Sequence, residues 1–488
     1  MIEKLKYTLR HTAIYSLGNI ATKLSGIILL PFYLKYLSVA EYGIQDVVFS
    51  TVFVLTQLLI LGQPHALIKH YTDRDFEYKK GVILNSSLIF IVIVSGSVLI
   101  GAFIFADVIK DLFNQSLITL EIVRLMILIT LVRILNTLIL NFLRAEERSL
   151  FYASSNILKL IINLVLNIYF IAYLRIGIEG IFYAFIASET FQFILIFSSY
   201  LKKIEFKVDL KIIKALVIFG FPLIFSGFTN SMLNFANRYL LLNLVGEIET
   251  GYFALAAKIG GFINVFLVQA FSLSIFPIAL KMLGREGDKR YMNKVLNYYM
   301  FILFWIGLFI SLFSFELIEV FSKNPKYNIV YKAVPIIILG FIFLGAKSVV
   351  IISLYFKGKT KVIAYISFVA LLINLSLNYF LIPIFKFQGA AIANLLSFIA
   401  FFFLTKHFAD KAYKIPYDLI TVLKVLGLST ILFFIPMVFA TSGLFLIILK
   451  IFVLISFPVI IYKSNILEKI EKERINQYLL KAKKIIFK

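Results

Sequence analysis

Nine basic residues stand inside stretches of this sequence that are otherwise apolar: Lys23, Arg124, Arg133, Lys159, Arg238, Lys258, Lys347, Lys424 and Lys450. A charged lysine or arginine in a water-poor setting lacks the hydration that would screen it, and its natural chemistry is the capture of an anion such as a phosphate. Against them the sequence sets one deep carboxylate, Glu189, because Asp46, Glu121, Glu316 and Glu319 fall near the ends of their apolar stretches. An ionised side chain at the centre of a membrane helix costs about 2.5–3.5 kcal/mol on insertion scales. Nine of them facing lipid would cost on the order of 20 kcal/mol or more, which exceeds the whole stability of a typical domain. Most must therefore face protein or water, and pairing with Glu189 alone leaves an electropositive interior suited to an anionic guest.

Helical geometry, at 100° per residue, sorts the nine by face. Ser16, Asn19, Lys23 and Gly26 share one face; Asn156, Lys159, Asn163 and Asn167 share another; Asn230, Asn234, Asn237 and Arg238 share a third. Lys258 aligns with Gln269 and Ser272, and Arg133 lies with Thr130, Asn136, Thr137 and Asn141. Each of these five charges continues a polar stripe, and together with Lys347, a further cation inside a span, they are the candidate substrate-binding residues: Lys23, Arg133, Lys159, Arg238, Lys258 and Lys347. For each alone, a polar helix-packing contact is the competing reading. Glu189 is the candidate to carry a coupling proton, or else the structural partner of an interior cation. Arg124 is expected to pair with Glu121 one turn away. Lys424 is expected to snorkel to the interface, and Lys450 has no assigned partner.

The elements that must hold these residues are membrane helices. Of 488 residues, 61% are hydrophobic and 15% charged, with a mean hydropathy of +0.95, whereas soluble proteins carry about 25% charged residues. Fourteen apolar runs follow one another: 11–34, 44–68, 81–106, 116–142, 151–173, 176–200, 215–244, 251–280, 295–320, 333–356, 362–383, 388–409, 419–440 and 443–462. That leaves no room for a sizeable extramembrane catalytic domain. With the N-terminus inside, and with Lys406 at the cytoplasmic end of its run counted with the connector that follows, the cytoplasmic segments hold 33 of the 49 basic residues and the outer connectors 7, so both termini are expected in the cytoplasm. The net charge of +23 then points to anionic lipid or an anionic substrate rather than nucleic acid. The tail, 463–488, spaces Ile466, Ile470, Ile475, Leu479 and Leu480 among lysines, as an amphipathic helix on an anionic leaflet would.

The chain also repeats itself. Ile162-Asn163-Leu164-Val165-Leu166-Asn167 recurs as Ile373-Asn374-Leu375-Ser376-Leu377-Asn378 at an offset of 211. Gly180 and Ser188 answer to Gly389 and Ser397 at 209, Glu41-Tyr42-Gly43 to Glu249-Thr250-Gly251 at 208, and Pro64-His65-Ala66-Leu67 to Pro277-Ile278-Ala279-Leu280 at 213. Six helices per unit is an even number, so the copies are parallel and related by an axis along the membrane normal. The expected architecture is all-α and polytopic, with lobes at 1–204 and 205–414, two unpaired helices over 415–462 and the basic tail.

Other chemistries lack their residues. There is no cysteine, so disulfides and thiolate catalysis are excluded. His11, His65, His70 and His407 show no metal-ligand spacing, and no metal or other cofactor is expected. Gly358-Lys359-Thr360 resembles the end of a phosphate-binding loop, but the earlier glycine such a loop needs is Ser353. Asp73-Arg74-Asp75 has the spacing of a glycosyltransferase metal pair but stands in a connector of about a dozen residues. Transport driven by membrane potential or an ion gradient, without ATP, is the expectation.

Tyr15-Ser16-Leu17-Gly18-Asn19 with Gly26 and Pro31, the connector Leu37-Ser38-Val39-Ala40-Glu41-Tyr42-Gly43, the two Ile-Asn-Leu-x-Leu-Asn segments and Gln388-Gly389-Ala390-Ala391 resemble the Wzx-type polysaccharide flippases. These are members of the multidrug/oligosaccharidyl-lipid/polysaccharide exporter (MOP) superfamily. The resemblance implies two six-helix lobes in a V and a cavity opening alternately to either face. The implied cargo is a lipid-diphosphate-linked oligosaccharide, moved from the inner to the outer leaflet of the bacterial cytoplasmic (inner) membrane. It also implies work beside polysaccharide polymerase machinery, and a transporter rather than an enzyme. A lipid II flippase, a drug/cation antiporter of the same superfamily and, furthest away, a membrane polymerase or glycosyltransferase are the competing readings. A cationic drug would need an acidic or aromatic cavity, and an enzyme an extended outer loop.

Overall fold

In the computed structural model, every element among the described residues is helical. Those residues are 18, 25–73, 79–439, 443–464, 468–469 and 471–473, without the side chains of 222–223, 225–227, 230 and 234–235. Lys23, all but Gly18 of the Tyr15–Asn19 motif, Arg74, Asp75 and most of the tail lie outside them.

The local sequence sets the helix starts. Short α1 (Leu30–Tyr36) leads into α2 (Val39–Leu59), which opens on a capping box. The Ser38 hydroxyl accepts the Glu41 N–H at 3.2 Å, and the Ser38 N–H donates to the Glu41 carboxylate at 2.8 Å, satisfying two donors that a helix start leaves open. Gly62, at φ 67, breaks the chain into α3 (Gln63–Thr72). Next come α4 (Lys80–Ile104), α5 (Ala106–Phe113) and α6 (Leu120–Ala145), the last capped by Thr119. Helix α7 (Ser149–Asn167) runs on into a π turn over Ile168–Tyr173, and α8 (Ile178–Leu201) and α9 (Leu210–Val245, capped by Asp209) come after it.

Beyond these, α10 (Glu247–Ile263) passes through a second π turn, Asn264–Val268, into α11 (Gln269–Met282). The remainder is α12 (Asp288–Leu312), α13 (Ser314–Phe321), α14 (Val334–Val350), α15 (Ile352–Phe356), α16 (Thr360–Ala412), α17 (Leu419–Val438) and α18 (Leu444–Lys463). Eleven described helical stretches are long and apolar enough to cross a membrane. One of them, the 53-residue α16, is broken at Lys386 (φ 54, ψ −132), between the expected spans eleven and twelve. Most of the first expected span lies outside the described residues, so the count of fourteen stays an expectation.

Two compact units emerge. The first comprises Met1–Ala254, Glu319–Tyr327 and Asn374–Ala390, and the second Leu255–Ile318, Asn328–Ile373 and Ala391–Lys488. In the first, α6 packs on α8, α8 on α7, and α2 and α3 on both α6 and α9. Ile44, Ile83, Ile129, Leu138, Phe142 and Phe182 are fully buried there. In the second, α12 is central, packed on α14, α17 and α18. Side chains such as Ile93, Ile100 and Ile104 of α4 stay exposed, which suits a helix whose surroundings are hydrocarbon.

Connectors that the sequence places on one side of the membrane meet in the structure. In the first unit Lys79 reaches Asp209 and Lys203 reaches Glu146, joining the connectors before α4, α7 and α9. At the opposite end the Leu117 N–H donates to Glu247, and Glu249 receives both the Phe387 N–H and Lys386. In the second unit the Tyr413 hydroxyl and the Gly284 N–H both donate to Asp288.

The start of the tail is tied to α12. Lys294 lies 3.0 Å from Glu468 and 2.7 Å from Glu471, and Arg290 lies 2.9 Å from Glu468. Hydrogen bonding from Lys294 holds the Glu468 carboxyl below its usual range. Burial pushes the Glu471 carboxyl up, and hydrogen bonds from Lys294 and Tyr298 more than offset it. A carboxylate depressed by a folded-state contact contributes stability above its unfolded pKa and loses it on acidification. The tail contact is therefore expected to persist at neutral pH and to release as pH falls below the ordinary glutamate value of 4.5. Fluorescence anisotropy of a probe on a single cysteine at position 469 checks this, and release on raising the pH from 7 to 9 would contradict it.

Candidate functional site

The polar stripe of α7 does share one face, and that face is turned into protein. Asn156, Asn163 and Asn167 are buried and meet α8: Gln192 donates to Asn156 at 3.3 Å and Asn163 donates to the Ser188 hydroxyl at 3.2 Å. Asn167 accepts the Tyr33 hydroxyl at 2.8 Å. Within the stripe, Lys159 forms an ion pair of 3.1 Å with Glu189, which is 2% exposed. Asn136 of α6 donates to the other Glu189 oxygen at 2.6 Å and to its backbone carbonyl at 2.9 Å. A buried carboxylate needs such a set of donors, because the lost hydration is repaid only when its lone pairs are met.

Arg133, one turn before Thr137 on α6, stands over the Phe185 ring at 5.7 Å, and its charge reaches Glu189. Among the described residues no carboxylate lies within 4.0 Å of it, so this site holds two cations against one carboxylate and keeps a net positive charge. The structure thus brings together Arg133, Lys159 and Glu189 of the predicted set.

Arg238 is engaged elsewhere. Its guanidinium bonds Asp46 of α2 and lies 5.9 Å from the Phe253 ring. Lys450 likewise pairs with Glu316. The expectation that Glu189 is the one carboxylate able to neutralise interior cations is therefore corrected: Asp46 and Glu316 do so too. Asp46 stands seven residues beyond Val39, or about 10 Å along α2, so the capping box at Ser38 was the sequence signal that it sits inside the span.

Arg124 is corrected as well. It forms no ion pair with Glu121, although both side chains are exposed, and instead lies 5.6 Å from the Phe103 ring, which α4 brings within its reach. In the second unit, Lys347 lies 4.1 Å from the centroid of Phe401, with no carboxylate within 4.0 Å among the described residues. Lys258 is half-buried on α10. The π turn over Asn264–Val268 accommodates one extra residue and rotates the helix beyond it by about 100°, so the alignment of Lys258 with Gln269 and Ser272 read from ideal geometry does not hold.

Around Asp46 the first unit is closed by backbone contact. A Cβ on Gly43 would lie 2.5 Å from the Glu247 carbonyl, and one on Gly251 would lie 2.0 Å from the Val39 carbonyl. Further along, Gly62 and Gly220 approach as closely, 2.1 Å separating a Gly62 Cβ from the Gly220 carbonyl. Among the described residues no group of three or more metal-ligating side chains occurs.

Helices that hold cations inside their spans are the architecture among the described residues, and comparisons with known proteins identify the fold. The structure resembles lipid II flippase MurJ in an inward closed conformation, with a TM-score of 0.75 and 16% identity over 92% of this chain and 99% of that one. It also resembles an inward-facing multidrug resistance MATE family transporter of the MOP superfamily, at 0.65 and 16% identity over 81% of this chain and 94% of that one. A MOP superfamily transporter from Pyrococcus furiosus matches at 0.60, again with 16% identity, over 83% and 95%.

In sequence, the chain is 22% identical over 232 residues to a Shigella flexneri protein described as a candidate O-antigen transporter, covering 46% of this chain and 54% of that protein. The chain thus spans about half the length of that relative. The polysaccharide biosynthesis protein profile matches residues 8–283 and the MatE profile residues 222–380. The chain belongs to the polysaccharide biosynthesis protein family, in the MurJ/MATE fold.

Proposed function

We propose that the protein is a flippase carrying a lipid-diphosphate-linked oligosaccharide from the inner to the outer leaflet of the bacterial cytoplasmic membrane by alternating access. The carrying observation is the uncompensated positive charge at Arg133, beside the Lys159–Glu189 pair. A diphosphate oxygen 4 Å from that guanidinium, at an effective dielectric of 20, gains about 4 kcal/mol per charge pair before desolvation. Lys347 is the corresponding candidate in the second unit, and Lys258 and Lys23 stay in the proposed set. The sugar then travels in water while the polyprenyl tail remains in lipid, and the delivered unit is available to a polymerase on the outer face.

The lobes at 1–204 and 205–414 are proposed as the bodies that rock. Their boundary runs through the first compact unit, so Gly43 against Gly251 and Asp46 with Arg238 are contacts that the motion must break at one face. This gives Arg238 the role of a gate cation alongside that of a ligand. Glu189 is proposed to carry the coupling proton, with Lys159 as its resting partner.

Deleting the gene is expected to trap lipid-linked oligosaccharide in the inner leaflet while peptidoglycan synthesis continues. Restoration by the wild type and by Lys424→Ala, but not by Arg133→Met, supports the proposal. Arrested peptidoglycan synthesis would favour lipid II as cargo instead. For orientation, impermeant reagents are expected to label single cysteines at 247, 325 and 442 in intact cells and to spare 205, 287 and 359. The reverse pattern would invert the topology.

A further inference from the structure

An open hollow of about 570 Å³ lies at the end of the first unit where the connector between α8 and α9 crosses the start of α4; it is lined by Lys79, Lys207, Asp209 and Lys211 with Val82, Val208 and Leu210. The connector is fixed there. The Glu205 N–H donates to the Gly81 carbonyl at 3.2 Å, Asn85 donates to the Lys207 carbonyl at 3.0 Å, and the Asp209 N–H donates to the Ser86 hydroxyl at 3.2 Å. Asn85 and Ser86 are 4% and 0% exposed, so α4 uses two buried polar side chains to hold a surface strap in place. Such bonding removes the conformational freedom that a ligand would otherwise have to restrict.

The charges on the strap are unbalanced. Asp209 is occupied, pairing with Lys79 at 3.5 Å and accepting the Lys211 N–H at 2.8 Å as the cap of α9. Lys207 and Lys211 are exposed, and neither has a carboxylate partner among the described residues. Between and beside them, Phe206 is 83% and Leu210 78% exposed, with Val208 at 47%. Cations interleaved with protruding apolar side chains are the composition of a segment lying in the headgroup zone of a bilayer, where the lysines meet phosphate and the apolar side chains meet acyl chains.

We propose that this strap is a binding site for an anionic glycerophospholipid of the leaflet it faces, with Lys207 and Lys211 on the headgroup phosphate and Phe206 and Leu210 against the acyl chains. The site stands apart from the cations inside the spans, and its occupancy is independent of what the protein carries. Free phosphate would use the lysines alone; the exposed phenylalanine and leucine are what commit the site to a lipid.

Native mass spectrometry of the full chain released from detergent reads bound lipid directly. Phosphatidylglycerol, phosphatidylcholine of the same acyl chains and water-soluble glycerol phosphate serve as probes. Phosphatidylglycerol is expected to be retained about tenfold or more over phosphatidylcholine, given two lysines at the phosphate. Lys207→Gln/Lys211→Gln should remove most of that preference. Phe206→Ser/Leu210→Ser should lower retention of both lipids, and Lys357→Gln/Lys359→Gln, on another basic connector, should change neither. An unchanged preference in Lys207→Gln/Lys211→Gln overturns the site, as does an equal loss in the Lys357/Lys359 control. Glycerol phosphate bound as well as phosphatidylglycerol and indifferent to Phe206→Ser/Leu210→Ser would replace the lipid with a free phosphate. None of these readings involves export, so the proposed cargo can fail while the lipid site holds.

Discussion

Gly251→Ala is expected to stop polysaccharide export while the protein stays in the membrane at wild-type abundance. The added methyl would lie 2.0 Å from the Val39 carbonyl, and a methyl on Gly43 2.5 Å from the Glu247 carbonyl; both obstacles are backbone, which cannot swing aside as a side chain tip can. Overpacking of this kind costs about 1–3 kcal/mol, a factor of about 5 to 150 in an equilibrium. In the proposed alternating cycle the cost falls only on the state in which α2 and α10 touch, so the balance is expected to shift towards the separated state rather than towards unfolding. Because the chain has no cysteine, Gln45→Cys, at a position now 9% exposed, reports the shift as faster labelling from outside in the Gly251→Ala background. Gly96→Ala and Gly101→Ala are the controls, since nothing lies within 4 Å of either added methyl. Normal export with unaltered labelling in Gly251→Ala would show that this contact is not part of the transport cycle.

The second large effect separates two cations about one carboxylate. Lys159→Met leaves Glu189, 2% exposed, without its ion-pair partner, and removing one member of a buried pair costs about 3–5 kcal/mol. Abundance and thermal stability should fall together, and Lys159→Met/Glu189→Gln should recover most of the loss, because the orphaned charge is gone. Arg133→Met leaves the 3.1 Å pair of Lys159 and Glu189 in place and should keep abundance while export fails. If Arg133→Met destabilises as much as Lys159→Met and the double variant rescues nothing, Arg133 is a member of the structural network and not a ligand cation.

Much of the fold and of the site is legible in the sequence because it is local. The Ser38–Glu41 capping box, the glycines at 43 and 251 and the periodic asparagines of α7 are each readable from spacing along one helix. What the sequence does not supply is the partner across the gap. Nothing in the spacing of Asn156, Lys159, Asn163 and Asn167 says whether the stripe meets water or the Ser188–Gln192 face of α8, and it meets α8. Asp46 looks terminal when the apolar run is counted from 44, although the helix is capped at Ser38. Two departures from ideal geometry have the same origin. A π turn such as Asn264–Val268 is stabilised by packing and leaves no composition signal, and Arg124 turns from Glu121 to Phe103 because a ring on another helix is within reach.

The left-handed residues have a consequence for descent. Arg175 and Lys386 both take φ 54 at the offset that separates the two Ile-Asn-Leu-x-Leu-Asn segments, although neither is glycine and the conformation costs each of them about 1 kcal/mol or more. At the repeat offsets, Lys159 and Glu189 answer to Ala370 and Phe398, both buried. We propose that the chain descends from two copies of a half-length unit, in which every turn and every charge was present twice. After fusion, an ion pair could then be exchanged for apolar packing in one copy at little net cost. A chain reversal between two membrane helices could not be exchanged without moving both. Ancestry in such a protein is therefore written most durably in its awkward backbone angles, and least durably in the charges by which it works.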